Sequence, residues 1–324
     1  MFRSRCLASA IAWISLDFED RCRIMNTLPP ELHNYICELA CSEDGTTIRS
    51  LNMVSPYFNE VTKPFLYRNI AVSSIEQISA LSERLSAVPV HLRQIRNMFI
   101  SDTPSSPGPS HSENSTKLLR AIVQILALAA PTLLSLALAC RSPISTAVFA
   151  SVFRTTFPVL RRLTLSGFYP YPSFPNKFPK LEYLHLNGNR NPSGILEMWI
   201  LEEACPSLST LQVTGLSSAG SFVAELEEAT RASELADSLA LDSTDLTARF
   251  PPHLKVLIVQ AGPVPDRVLG ETLLLNDKVM MDGLWALKTR NGGGGAIKIS
   301  LLERAKRPLS AEDVKKQWGE SMRP

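Results

Sequence analysis

Histidine, cysteine and glycine are where chemistry would first show in this chain of 324 residues, and none stands in a spacing that performs it. The five histidines, His33, His91, His111, His185 and His253, fall in no metal-ligand spacing. Cys37 and Cys41 are four apart on one helical face, but no second cysteine or histidine pair completes a ligand set, so they read as small apolar side chains. Gly292 to Gly295 lacks the Gly-Lys-Ser/Thr ending of a phosphate loop, and neither a nucleophile elbow nor a zinc-binding helix is present. The expectation is a protein with no catalytic site, metal or cofactor. What remains is recognition chemistry, with Arg162, Thr164, Tyr183, His185, Asn187, Thr210 and Gln212 as the candidate residues for holding a target. Tyr and Arg are over-represented among residues that dominate interfaces, so Tyr183 beside Arg162 and His185 is the leading patch.

Those residues are positioned by a repeat. The pattern Pro-x-Leu-x-x-(Leu/Val)-x-(Leu/Val/Ile) occurs at Pro131-Leu133-Leu136-Leu138, Pro158-Leu160-Leu163-Leu165, Pro179-Leu181-Leu184-Leu186, Pro206-Leu208-Leu211-Val213 and Pro252-Leu254-Leu257-Val259. The prolines are 27, 21, 27 and 46 residues apart, against roughly 20 to 29 for a leucine-rich repeat. The long interval fits two units, because Ala236, Leu239 and Leu241 repeat the apolar spacing without the proline, and Ile95, Met98 and Ile100 do the same upstream. The last two apolar residues of each motif are two apart, so they leave a short strand on one side and enter a shared core. Residues between them face out onto a concave surface: Ser135, Ala137 and Ala139; Arg162, Thr164 and Ser166; Tyr183, His185 and Asn187; Thr210, Gln212 and Thr214; Val256, Ile258 and Gln260. This outward set holds no arginine cluster, which speaks against a phosphorylated target.

Between the strands, 147–154, 195–204 and 222–235 have helical spacing, whereas Tyr169-Pro170-Tyr171-Pro172-Ser173-Phe174-Pro175 must cross extended. Ser73 to Val88 reads as a further helix. Residues 103–115, with three prolines and five serines, read as a mobile loop. Val279 to Leu287 and Ala296 to Leu302 read as closing helix or strand around the turn at Gly292 to Gly295. Residues 305–324 form a polar tail expected to fray, ending a repeat domain over 71–304.

Charge and cysteine content bound the partners and the compartment. Lysine and arginine number 33 against 31 acids, a net charge of +2, which gives no electrostatic reason for nucleic acid or an anionic membrane. The composition points to a protein partner. Six cysteines, Cys6, Cys22, Cys37, Cys41, Cys140 and Cys205, form no C-x-x-C pair and are too sparse for a disulfide scaffold, which fits the cytoplasm or nucleus. Leu118 to Ala139 is apolar but broken by Arg120, Gln124 and Pro131, and reads as helix, turn and strand rather than a membrane span. Met1 to Leu16 weakly resembles a signal or transit segment without a clean cleavage site, so 1–25 reads as a disordered extension or an over-long gene model.

A small helical module precedes the repeats. Leu28-Pro29-Pro30-Glu31-Leu32 opens a helix with prolines in its first turn, and Leu32, Ile36, Leu39 and Ala40 follow at helical spacing. Thr47 opens a second run with Ile48, Leu51 and Val54, and Pro56 a third with Phe58 and Val61, closed by Pro64. In this order Leu28-Pro29-Pro30-Glu31-Leu32, Leu51-Asn52-Met53-Val54-Ser55-Pro56-Tyr57-Phe58 and Pro64-Phe65-Leu66-Tyr67-Arg68-Asn69-Ile70 resemble the F-box of fungal F-box proteins, over 26–70. The chain departs from that pattern in a longer 37–47 stretch and in Pro56. The resemblance implies an α/β architecture of a three-helix F-box-like module followed by an irregular leucine-rich-repeat solenoid. It implies docking on a Skp-family adaptor, and through it a cullin-RING ubiquitin ligase, with the repeats presenting a protein substrate. Leu28, Pro29, Leu32, Ile36, Leu51, Val54, Phe58 and Leu66 are then a mixture of core and adaptor-facing residues. So short a segment has too little interior to cover its apolar side chains. The alternative is a helical cap sealing a binding scaffold with no ligase link.

Overall fold

A computed structural model describes residues 28–40, 45–102, 111–172, 174–197, 199–238, 248–265, 271–291 and 297–322. The chain divides into two compact units, Met1–Leu66 and Tyr67–Pro324. The expected 1–25 extension lies outside the described residues, as do 103–110 of the expected loop and the glycine run.

The first unit holds three short helices, α1 (Pro30–Ala40), α2 (Thr46–Asn52) and α3 (Pro56–Thr62), followed by a 3-10 turn at Lys63–Phe65. Gly45 enters α2 at φ 80, a left-handed conformation that glycine tolerates without a Cβ clash. Ser55 caps α3 by accepting from Phe58 N at 3.2 Å. Its core consists of Cys37 and Ile48, with Leu51, Val61, Phe65 and Leu66 partly buried against them.

The second unit is an α/β layer built on one open sheet of eight parallel strands in sequential order. In chain order its elements are β1 (Asn69–Val72), α4 (Ile75–Ala87), β2 (Asn97–Ser101), α5 (His111–Ala129), β3 (Ser135–Ala139), α6 (Ser145–Arg154), β4 (Arg162–Ser166), β5 (Tyr183–Asn187), α7 (Ile200–Ala204), β6 (Thr210–Leu216), α8 (Gly220–Ser238), β7 (Val256–Ala261), α9 (Glu271–Asn291), β8 (Lys298–Leu301) and α10 (Ala311–Ser321). Unequal spacings in sequence become one register in space: Leu136, Leu163, Leu184, Leu211 and Leu257 are successive partners, and so are Leu138, Leu165, Leu186, Val213 and Val259. All are buried in one core with the apolar residues of α4, α5, α6, α8 and α9. At each strand entry one carbonyl accepts two N–H groups from the next unit; Leu134 O takes Arg161 and Arg162, and Arg161 O takes Glu182 and Tyr183. The motif leucine after each proline, from Leu133 to Leu254, is buried.

Several expectations are corrected. Ile70 sits in β1, so the helical unit ends at Leu66. The 46-residue interval holds one unit, because β6 pairs directly with β7 and Ala236 lies in α8. Phe222, Leu226 and Ala229 are buried at helical spacing and carry the chain in that conformation. Residues 111–115 of the expected loop begin α5. The helix expected over 195–204 is confined to Ile200–Ala204. Glu225, a buried carboxylate, takes Gly194 N (2.7 Å) and Leu196 N (2.5 Å), fixing the preceding residues in a non-helical loop. Among the described residues the unit between β4 and β5 has no helix, as its prolines dictate, and its Phe178 stacks at 5.7 Å on Phe157 from the preceding unit.

The largest correction is the tail. Residues 302–309 do not fray but run back along the carboxyl ends of the strands, and α10 then packs on the face opposite the leucines, against β2 and β3. Arg304 Nη2 donates to both carboxylate oxygens of buried Asp277 (2.6 and 2.7 Å), and its Nε donates to Gly262 O. Arg141 Nη2 donates to Leu309 O at 2.6 Å. Ser310 and Asp313 form a reciprocal capping box, and Val314 and Trp318, four apart, bury against Phe99, Ala137 and Ala139. The two alanines leave the space that the indole fills, 5.9 Å from the Phe99 ring.

Candidate functional site

On the helical unit, the structure separates the predicted residues by exposure. Leu51 and Leu66 join the Cys37 and Ile48 core. Phe58 is half-buried and packs edge-on to His33, whose Nδ1 lies 2.8 Å from the Tyr57 hydroxyl. Leu28 is half-buried and Pro29 exposed. Leu32 (47%) and Ile36 (37%) are exposed, together with Tyr35 and Leu39, which were not predicted as a set. The four stand at i, i+3, i+4 and i+7, one stripe along α1. Val54 (65%) and Met53 (83%) lie uncovered between α2 and α3. The expected helical face of α1 is thus the exposed one, while His33 and Cys37 face inward. Burial raises the Cys37 thiol, an environment that keeps it protonated and unreactive.

On the sheet unit, the predicted target face is divided by α10. Ser135, Ala137 and Ala139 are buried beneath that helix and are not surface positions. Arg162, Thr164, Tyr183, Thr210 and Gln212 remain accessible. The Arg162 guanidinium lies 6.0 Å from the Tyr183 ring centre, and the Tyr183 hydroxyl donates to Gln212 Oε1 at 2.6 Å. These three side chains therefore form one preorganised patch across β4, β5 and β6.

His185 and Asn187 are corrected to interior positions. They belong to a directional relay across the strand ends. Thr214 Oγ1 gives its single hydrogen to Asn187 Oδ1 (3.2 Å), so at the 2.9 Å His185 contact Nε2–H must be the donor. Asn187 Nδ2 then donates to Ser166 Oγ at 2.9 Å. His185 is 2% exposed, and burial lowers its pKa to about 4, so it is neutral near pH 7.

The relay abuts a cavity of ≈ 440 Å³ at the carboxyl ends of β4 to β7. Its floor includes Gly167, Gly188 and Gly262, each directly after a strand, and Gly215 at the bulge inside β6. A Cβ on Gly188 (φ 124) would stand 2.1 Å from Gly167 O, and one on Gly167 (φ 145) 2.1 Å from Cys140 O, so the strand ends approach too closely for any other residue. Arg141, Arg190 and Arg307 reach this cavity from separate loops, and Ala305, Pro308 and Leu309 of the returning segment also line it. The sequence did carry a signal for the floor, a glycine following a polar residue near each strand end in Ser166-Gly167, Asn187-Gly188 and Thr214-Gly215. It carried none for the arginines, which are far apart in the chain.

Among the described residues no group of three His, Cys, Asp or Glu could hold a metal ion, and no helix is long and apolar enough to cross a membrane. Cys140 and Cys205 are free and buried, the latter with its thiol pushed up to about 12 by burial. No protein-family model matches the chain, and neither a curated protein nor a solved structure matches it.

Proposed function

We propose that this chain is an F-box-type substrate receptor of a cullin-RING ubiquitin ligase, with an irregular leucine-rich-repeat solenoid as its target-binding domain. The helical unit docks a Skp-family adaptor, and the open face of the sheet holds a protein target. The reading assigns no catalysis to the chain itself. It acts by proximity, keeping a target lysine at high effective concentration near activated ubiquitin in the cytoplasm or nucleus.

The observation that carries this reading is the uncovered apolar surface of the helical unit: Leu32, Tyr35, Ile36 and Leu39 in one stripe, with Met53 and Val54. A surface of this kind marks an interaction site. The repeat reading is supported by eight sequential parallel strands whose leucines share one register. The target site is reduced to Arg162, Thr164, Tyr183, Thr210 and Gln212, because α10 occupies the face over β2 and β3.

Co-expression with a fungal Skp-family adaptor tests the proposal. Wild type co-purifies as a stable complex, and Leu32→Asp with Ile36→Asp abolishes it while circular dichroism stays unchanged. A folded wild-type chain that leaves the adaptor in the flow-through rejects the ligase link and leaves a binding scaffold with a helical cap.

A further inference from the structure

We propose that the cavity at the carboxyl ends of β4 to β7 is a binding site for a small phosphate-bearing organic molecule. The proposal stands on the sheet unit alone and is independent of adaptor docking. A volume of ≈ 440 Å³ falls in the range of ligand pockets, roughly 300–1,000 Å³. It lies outside the carboxyl ends of four neighbouring parallel strands, which brings their terminal polar side chains to one place.

The charge of the lining selects the ligand. Arg141, Arg190 and Arg307 line the cavity, and among the described residues no carboxylate does. Nearby acids are already engaged: Asp277 by Arg304, Asp313 by Arg307 and Ser310, and buried Asp102 by the backbone N–H groups of Arg141 and Ser142. Among the described residues, Arg141 and Arg190 therefore have no carboxylate partner. Two uncompensated guanidiniums suit the double charge of a phosphate better than the single charge of a carboxylate, and their planar forks match its oxygens.

A third donor comes from the relay. Ser166 Oγ accepts from Asn187, and its own hydroxyl hydrogen has no acceptor among the described residues, so it is free for an oxyanion. Ser166, Asn187, Thr214 and His185 are each more than nine-tenths buried and mutually oriented, so the donor is fixed before a ligand arrives. The other wall is apolar, formed by Pro263, Val264 and Leu273, which gives an organic body a surface to cover. The glycine row keeps the floor free of side chains.

The returning segment forms part of the lining through Arg307, Pro308 and Leu309. Arg141 holds Leu309 O with one nitrogen while lining the cavity. A bound phosphate therefore contacts the same arginine that anchors the approach to α10.

Calorimetry on the full chain with inorganic pyrophosphate as probe decides the matter. Wild type gives a saturable heat below about 1 mM pyrophosphate. Arg190→Gln, an exposed position whose loss leaves the fold intact, weakens it about tenfold or more. Arg162→Gln, on the open face, leaves the affinity unchanged. A wild type silent at that concentration overturns the proposal, as does an equal loss in both variants, which would mean diffuse surface attraction. Acetate binding as tightly as pyrophosphate would overturn the phosphate assignment.

Discussion

The two units solve the problem of a limited interior in opposite ways. The helical unit fully buries only Cys37 and Ile48 among its described apolar side chains, and leaves Leu32, Leu39, Met53 and Val54 in solvent. The sheet unit buries more than fifty apolar residues in one cluster, because each repeat covers the apolar side of its neighbour. Apolar exposure in the first is therefore a property of its surface, and the proposed function uses it to hold a partner. Polar burial in the second, from His185 to Ser166, is a property of its interior and a means of orienting donors.

That contrast is broken most directly in the sheet core. Leu186→Ala removes a fully packed side chain and is expected to cost about 4 kcal/mol in urea unfolding. Gly188→Ala follows at about 3 kcal/mol, since its φ of 124 and the 2.1 Å approach to Gly167 O both exclude a Cβ; the same denaturation measures it.

His185 should give the sheet unit a pH dependence. The unfolded histidine titrates near 6.5 and the native one at about 4, so the unfolded state takes up its proton first as pH falls. The stability conferred by neutral His185 is complete above pH 6.5 and is lost between 6.5 and 4, at most about 3 kcal/mol. Urea titrations across that window, repeated on His185→Gln, should show the slope in wild type and its loss in the variant.

Trp318→Ala sharpens the comparison at the point where the sheet unit covers its own face. It should release α10 locally, at about 2 kcal/mol, with amide exchange quickened over Ala311–Ser321, β2 and β3 but not over β5 to β7. The smallest stability effect belongs to the helical unit. Val54→Asp should change unfolding by less than about 0.5 kcal/mol, yet abolish adaptor co-purification.

Legibility in the sequence divided along the same line. The registered leucines exposed the strands from β2 to β7, because side-chain direction in a strand has a period of two and each Leu-x-Leu marks one buried face. The helices of the first unit were legible from Pro30, Pro56 and Pro64, since proline fixes where a helix can start and end. Polarity misled at residues 305–324, where α10 anchors through only Val314 and Trp318. Nothing in the sequence showed the alanine-lined socket on β3 that receives the indole. The gap from Pro206 to Pro252 misled in the other sense, since a long helix and a further repeat both display apolar residues at short intervals.

By itself, then, the sequence determined local conformation: which residues make strands, which side of each faces in, where prolines stop helices, and that no spacing builds a metal or nucleophile site. Tertiary structure alone decided what meets across distance. It turned the Leu32, Ile36 and Leu39 stripe outward, since Cys37 and Ile48 fill the little interior available. It laid α10 over β2 and β3, and it brought Arg141, Arg190 and Arg307 to one cavity, because parallel strands in register bring their carboxyl ends together whatever the chain length between them.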